Sequence, residues 1–89
     1  MDDIDRELEA LRTDYLAARR RDLVTLRQLL DQQDWDEIRR IGHRMKGTGA
    51  TYGLSDVSRL GDAIEIAAQS ADLDAMRTLL DQLDAALAN

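Results

Sequence analysis

No proline interrupts this chain, and its apolar residues recur at helical spacing from one end to the other. The clearest stripe is Ile38, Ile41, Met45, Thr48 and Tyr52, at i, i+3, i+7, i+10 and i+14, the buried seam of an amphipathic helix. Val57, Leu60, Ile64 and Ala67 or Ala68 make a second seam, and Leu73, Met76, Leu80, Leu83 and Leu87 a third at strict a/d spacing. The segment from Asp2 to about Gln32 carries two phases. Ile4, Leu8, Leu11 and Tyr15 form one; Leu16, Leu23, Leu26 and Leu30 form the other, with the shift around Arg19-Arg20-Arg21-Asp22. Either one long helix bends there or two helices abut with Asp22 as N-cap. The stretch holds no strong breaker, which favours a continuous or nearly continuous helix.

The punctuation between stripes agrees with this division. Asp34 is placed to cap a helix, and Glu37 three residues on completes a capping box. Trp35 is expected to cover the end of the core. Gly53 suits the left-handed position that ends that helix, Ser55 the cap of the next, and Asp72 the cap of the last. The spacing predicts helices over about 3–32 (with a bend near 20 open), 35–51, 55–69 and 72–87. Short links between striped helices imply antiparallel neighbours. The expected fold is all-α, an up-down antiparallel four-helix bundle with an N-terminal helical extension, in a single domain over residues 1–89.

Composition narrows the function. At 89 residues the chain lies near the lower end of what buries a self-sufficient core. It has no cysteine, hence no disulfide, thiolate metal site or cysteine nucleophile, which suits a reducing compartment. No apolar run approaches the roughly 20 residues that span a bilayer, and the charged start is unlike a signal peptide. A cytoplasmic protein is expected. The net charge of −6 opposes non-specific nucleic-acid binding. Within it, Ile38 to Lys46 holds Arg39, Arg40, Arg44 and Lys46 and no acid, so one helix face is locally positive and fits an anionic partner. The arginine triplet at 19–21, beside Asp14 and Asp22, reads as a solvated face.

That positive window contains the only histidine and the only lysine of the chain, three residues apart. At about 100° per residue, the seam of this helix points roughly 180° away from His43. The imidazole therefore stands at the centre of the outward face. A solvent-exposed imidazole has a reference pKa of about 6.5, so much of it is neutral and nucleophilic at neutral pH. Lys46 at i+3 reaches the same face and offers a cation to a phosphoryl group on the ring. Gly47 at i+4 has no side chain and leaves room for a partner; Ala50 continues the line and is nearly as small. Gly42 and Gly49 lie along the flank, placed to let a neighbouring helix pack close. Glycines inside a helix cost about 0.5–1 kcal/mol each relative to alanine, so four between residues 42 and 53 need a reason. One histidine among scattered aspartates makes no metal site, and no nucleophile elbow or nucleotide-binding glycine loop is present.

His43-Arg44-Met45-Lys46-Gly47, followed by small residues, Gly53-Leu54 and Leu60, resembles the histidine-containing phosphotransfer domain of multistep two-component phosphorelays. The pattern there is His-x-(apolar)-Lys-Gly, small residues, a glycine-(apolar) pair and a later leucine. The resemblance runs from about Asp22 to the C-terminus, with Met45 where leucine is more usual. It implies a four-helix core and a phosphoryl group carried on the imidazole, exchanged with the aspartate of a receiver domain. His43 would be the phosphoryl acceptor, Lys46 would stabilise the phosphoryl group, and Gly47 would admit the partner. Magnesium in such reactions belongs to the receiver, so no cofactor or metal is expected on this chain. The dimerisation domain of sensor kinases also displays a helical histidine, but it is typically followed by Glu-(apolar)-Arg-Thr-Pro, unlike the Arg-Met-Lys-Gly-Thr found here.

The expected function is that of a phosphorelay intermediate. Its partners would be response-regulator receivers, a hybrid sensor kinase, or both, with Arg39, Arg40, Arg44 and Ala50 at the contact. Nucleic acid and membrane are not expected partners, and the chain is expected to be a monomer. It is a phosphotransfer protein more than an autonomous enzyme. Two rivals stand beside this: a binding-only bundle that docks an acidic partner through the same basic face, and a homodimeric scaffold using the apolar stripe of residues 4–16.

Overall fold

The computed structural model describes residues 3–88; the domain expectation for residues 1, 2 and 89 lies outside them. Four helices follow one another: α1 (Asp3–Asp31), α2 (Trp35–Thr51), α3 (Ser55–Gln69) and α4 (Leu73–Leu87). α1 packs on α2 and α4, and α3 packs on the same two, so the helices close a ring around one core. Cross-helix pairs run antiparallel throughout: Tyr15 meets Thr48 and Arg12 meets Tyr52, Lys46 meets Asp62 and His43 meets Glu65, Arg20 meets Leu87 and Arg27 meets Asp81. The described chain is an all-α four-helix bundle.

The stripes fill the interior as their spacing requires. Leu26, Ile38, Met45, Leu60, Ile64, Met76, Leu80, Leu83 and Leu87 are fully buried, and no polar or charged residue among the described ones is buried with them. Each buried Leu, Ile or Met of this kind contributes about 1.5–3 kcal/mol. Trp35 and Tyr52 are half-buried against this core.

α1 is longer than its neighbours. Its 29 residues rise about 44 Å at 1.5 Å each, which accounts for the 46 Å long axis of the molecule. The other helices have 15 to 17 residues and leave its first three turns unaccompanied. Of the first stripe only Tyr15 is therefore buried, while Ile4, Leu8 and Leu11 remain 66%, 51% and 50% exposed. α1 passes through residue 20 without interruption, and Asp22 is no N-cap: it sits inside the helix, 2.9 Å from Arg19 Nε.

The three links share one design. Gln33, Gly53 and Ala71 adopt positive φ (55°, 70° and 50°), and the next amide reaches back five residues, from Asp34 to Leu29, Leu54 to Gly49 and Asp72 to Ala67, at 2.8–3.1 Å. Each link is a Schellman end whose last residue also opens the next helix. Gly53 takes the left-handed position its sequence suggested; Gln33 and Ala71 take it with a side chain in place.

Asp34 and Asp72 cap through their carboxylates, which accept the Glu37 and Ala75 amides. The reciprocal half of the capping box is missing. Glu37 pairs with Arg40, and the Asp34 amide is already spent on Leu29. Ser55 is not the cap of α3 either; Leu54 holds that position without a side-chain acceptor. An apolar residue fits there because the position after a left-handed glycine packs back on the helix it ends, and Leu54 is half-buried against the core.

The arginine triplet is not simply solvated. Arg19 lies 4.5 Å above the Tyr15 ring and reaches the Thr48 hydroxyl, and Arg20 donates twice, at 2.9 and 2.6 Å, to the Leu87 carbonyl at the end of α4. Arg21 alone of the three is exposed without such a tie among the described residues.

Candidate functional site

The α2 seam turns Ile38, Ile41 and Met45 inward, and this places His43 outward with 69% of its side chain exposed. One flank of His43 is built by α3, the other by α1. The α3 flank depends on backbone contact. A Cβ on Gly42 would fall 2.8 Å from the Gly61 carbonyl oxygen and 2.9 Å from the Glu65 amide; one on Gly49 would fall 2.7 Å from the Ser58 amide; one on Gly61 would fall 2.5 Å from the Lys46 amide. Carbon is not tolerated at such distances, so these glycines let two helix backbones touch. Gly42 and Gly49 play the flank role expected of them, and Gly61 completes the seam from the other side.

The close approach brings side chains of α3 to the α2 surface. Glu65, only 13% exposed, places Oε2 2.9 Å from His43 Nδ1. A carboxylate accepts and does not donate, so Nδ1 carries its proton toward Glu65, and in the neutral ring the lone pair is left to Nε2. Nearly one turn along α2, Lys46 Nζ stands 3.1 Å from Asp62 Oδ1. Ser58 donates to the Lys46 carbonyl at 2.7 Å. The lysine lies on the histidine's side of the bundle, as its i+3 spacing required, and its ammonium rests on Asp62. Exposed pairs of this kind contribute about 0–1 kcal/mol, so Lys46 is easily drawn away.

The α1 flank is different in character. Tyr15 stacks on Tyr52 at 4.6 Å and hydrogen-bonds Thr48 at 2.7 Å; Thr48 donates in turn to the Arg44 carbonyl. These contacts fix α1 beside α2, where Arg19, Asp22, His43, Arg44, Gly47 and Thr48 line a cleft. A Cβ on Gly47 would meet nothing within 4 Å, so no packing among the described residues demands glycine there. Arg39, Arg40 and Arg44 line a second depression with His43 and Glu37; Arg39 is half-buried, Arg40 and Arg44 exposed. Ala50, exposed, lies with Lys46 and Asp62 in a groove toward the Gly53 link. The site thus spans three hollows: His43, Arg44 and Gly47 border the cleft, Arg39, Arg40 and Arg44 join His43 in the depression, and Lys46 and Ala50 line the groove. Chemically, it presents one imidazole nitrogen to solvent, held by its other nitrogen and bordered by cations.

A family model, the Hpt domain, matches residues 4–89. The chain is an Hpt domain. No curated protein and no solved structure is a match for it. Hpt domains carry out phosphotransfer in two-component signalling and interact with receiver-type partners in phosphorelays. The match includes α1 from Ile4 onward, well before the Asp22 limit suggested by the motif. Among the described residues of this Hpt domain no helix is long and apolar enough to cross a membrane.

Glu65, Asp62 and Arg19 escaped the sequence reading of the site. Glu65 had a usable signal. Folding an up-down chain back on itself about Gly53 sets His43 opposite residue 63 and Lys46 opposite residue 60, and Glu65 and Asp62 are the acids about two residues beyond those positions. Arg19 had no comparable signal, since its direction depends on how α1 rolls against α2.

Proposed function

We propose that this Hpt domain relays phosphoryl groups on His43, accepting them from a receiver-domain aspartate or a histidine kinase and passing them to a response-regulator aspartate. The observation that carries the reading is a largely exposed imidazole whose Nδ1 is tied to Glu65. The Nε2 lone pair attacks phosphorus, the P–O bond of the aspartyl phosphate breaks, and the aspartate leaves as a carboxylate with that electron pair. The imidazole keeps its Nδ1 proton and becomes a cationic ring bearing a dianionic phosphoryl group. Glu65 then faces a positive charge at 2.9 Å, so the bond that orients the neutral ring also stabilises the product.

Lys46 stabilises the transferred group, and Gly47 admits the partner's active site. Arg39, Arg40, Arg44 and Ala50 form the contact surface. Magnesium is supplied by the receiver; this chain holds no cofactor. Most of the catalytic groups come from the partner, because phosphoryl transfer is chiefly positioning and charge stabilisation. The domain works as a monomer in the cytoplasm, meeting response-regulator receivers, a hybrid sensor kinase, or both.

The test is transfer itself. Incubation with phosphorylated receiver domains should place acid-labile, base-stable label on the wild type and none on His43→Gln, whose fold is unaffected because the side chain is exposed. No label from a broad receiver panel would leave the binding-only bundle as the better reading. Within the working relay, Glu65→Ala should slow acceptance by about five- to tenfold, the loss of one charge-assisted hydrogen bond at a half-open site. An unchanged rate in stopped labelling assays would remove Glu65 from the mechanism.

A further inference from the structure

The His43–Glu65 bond and the cleft beside Gly47 are accounted for above, but the Lys46–Asp62 pair is not. We infer that Asp62 is a positioning residue that competes with the phosphoryl group for Lys46 and thereby keeps that group easy to release. The inference rests on the reading that His43 is the residue phosphorylated.

The two carboxylates of the α3 flank lie nearly one turn apart, each with a partner on α2: Glu65 with His43 at 2.9 Å and Asp62 with Lys46 at 3.1 Å. Charged groups from three helices border the ring or its neighbours. Glu37, Arg39, Arg40, Arg44 and Lys46 come from α2, Asp62 and Glu65 from α3, and the mutually paired Arg19 and Asp22 from α1. A phosphoryl group on Nε2 adds two negative charges beside Lys46, which lies on the same face at i+3. Lys46 has one ammonium and two claimants. Before phosphorylation it rests on Asp62; afterwards it is drawn toward the phosphoryl oxygens, and Asp62 is left unpaired next to a dianion. Both effects act against the phosphorylated state.

The magnitude stays modest because the pair is open to water, with side-chain exposures of 50% and 43%. That suits a carrier, whose bound group must leave again. A fully committed lysine would hold the phosphoryl group more strongly and slow the second transfer.

Potassium phosphoramidate provides a test that needs no partner protein. Its P–N bond breaks, ammonia departs with that electron pair, and the Nε2 lone pair forms the new N–P bond. Two properties of the phosphorylated chain are then followed: the second ionisation of the phosphoryl group, by 31P NMR titration, and the half-life of the N–P bond at fixed pH. Asp62→Asn should lower the ionisation midpoint by about 0.3–0.7 pH unit and lengthen the half-life by about two- to fivefold. In a Lys46→Met background the same substitution should do less than half as much, and Asp62→Glu should behave as wild type.

Equal effects with and without Lys46, or no effect of Asp62→Asn, would overturn the inference. Asp62 is half-exposed and joins no core contact, so circular dichroism of Asp62→Asn should match wild type. Phosphoramidate labels an accessible imidazole whether or not any receiver recognises the chain. A failure of relay function and a failure of Asp62 to act through Lys46 therefore appear in separate experiments.

Discussion

Gly61→Ala is expected to cost at least about 3 kcal/mol and to bring the chain close to unfolding. The added methyl would sit 2.5 Å from the Lys46 amide and 2.7 Å from the Gly42 carbonyl oxygen, both backbone atoms of α2. No rotamer change relieves a clash with backbone; the two helices must separate. Separation loosens the packing around Met45, Leu60 and Ile64, which are fully buried at this interface. A domain of this size has a total stability of about 5–10 kcal/mol, so the loss is a large share of it. Urea denaturation followed by circular dichroism would measure it. A midpoint within error of wild type would show that the α2–α3 contact is not tight in solution. The site should suffer with the fold, because the same contact brings Glu65 to His43.

Gly47→Leu should have the opposite profile. A side chain at Gly47 meets open space, and leucine is a better helix former than glycine by about 0.8 kcal/mol. The variant should therefore be as stable as wild type or slightly more so. It should nonetheless accept phosphate from a receiver at least about tenfold more slowly, because four new carbons would stand one turn from His43 where the partner approaches. Stopped-time phosphotransfer assays beside a urea titration would check both halves. Full-speed transfer in a stable Gly47→Leu protein would remove the steric role assigned to this glycine. The two substitutions separate a glycine that serves this chain's own packing from one proposed to serve another molecule.

Much of the fold was legible because a helix repeats every 3.6 residues and its buried side repeats with it. The α2 seam gave the direction of His43 before any contact was known, and the same arithmetic located Val57, Leu60 and Ile64, or Met76, Leu80 and Leu83. The stripe of Ile4, Leu8 and Leu11 shows the limit of such patterns. It is as regular as the others, yet it stays exposed, since periodicity says which face is apolar and not whether anything lies against it. Ser55 and the second half of the capping box failed for a related reason, which also ruled out the alternative with Asp22 as an N-cap. Their residue types suit helix starts, but the backbone had already committed those positions to a continuous helix, to the residue after a cap, and to a Schellman bond.

The candidate site divides along the same line. His43, Lys46, Gly47 and Ala50 lie on one helix, and their relation to one another follows from rotation and rise along α2 alone. Chain order was sufficient for that. What each of them touches was decided elsewhere: Glu65 on Nδ1, Asp62 on Lys46, Arg19 across the cleft. Those partners are 22, 16 and 24 residues away along the chain and come into range only when helices meet at a particular depth and rotation. Depth between α2 and α3 is set by Gly42, Gly49 and Gly61 in contact, and rotation of α1 by Tyr15 against Thr48 and Tyr52. Local periodicity carries no information about either, because both arise from the packing of surfaces that no single segment contains.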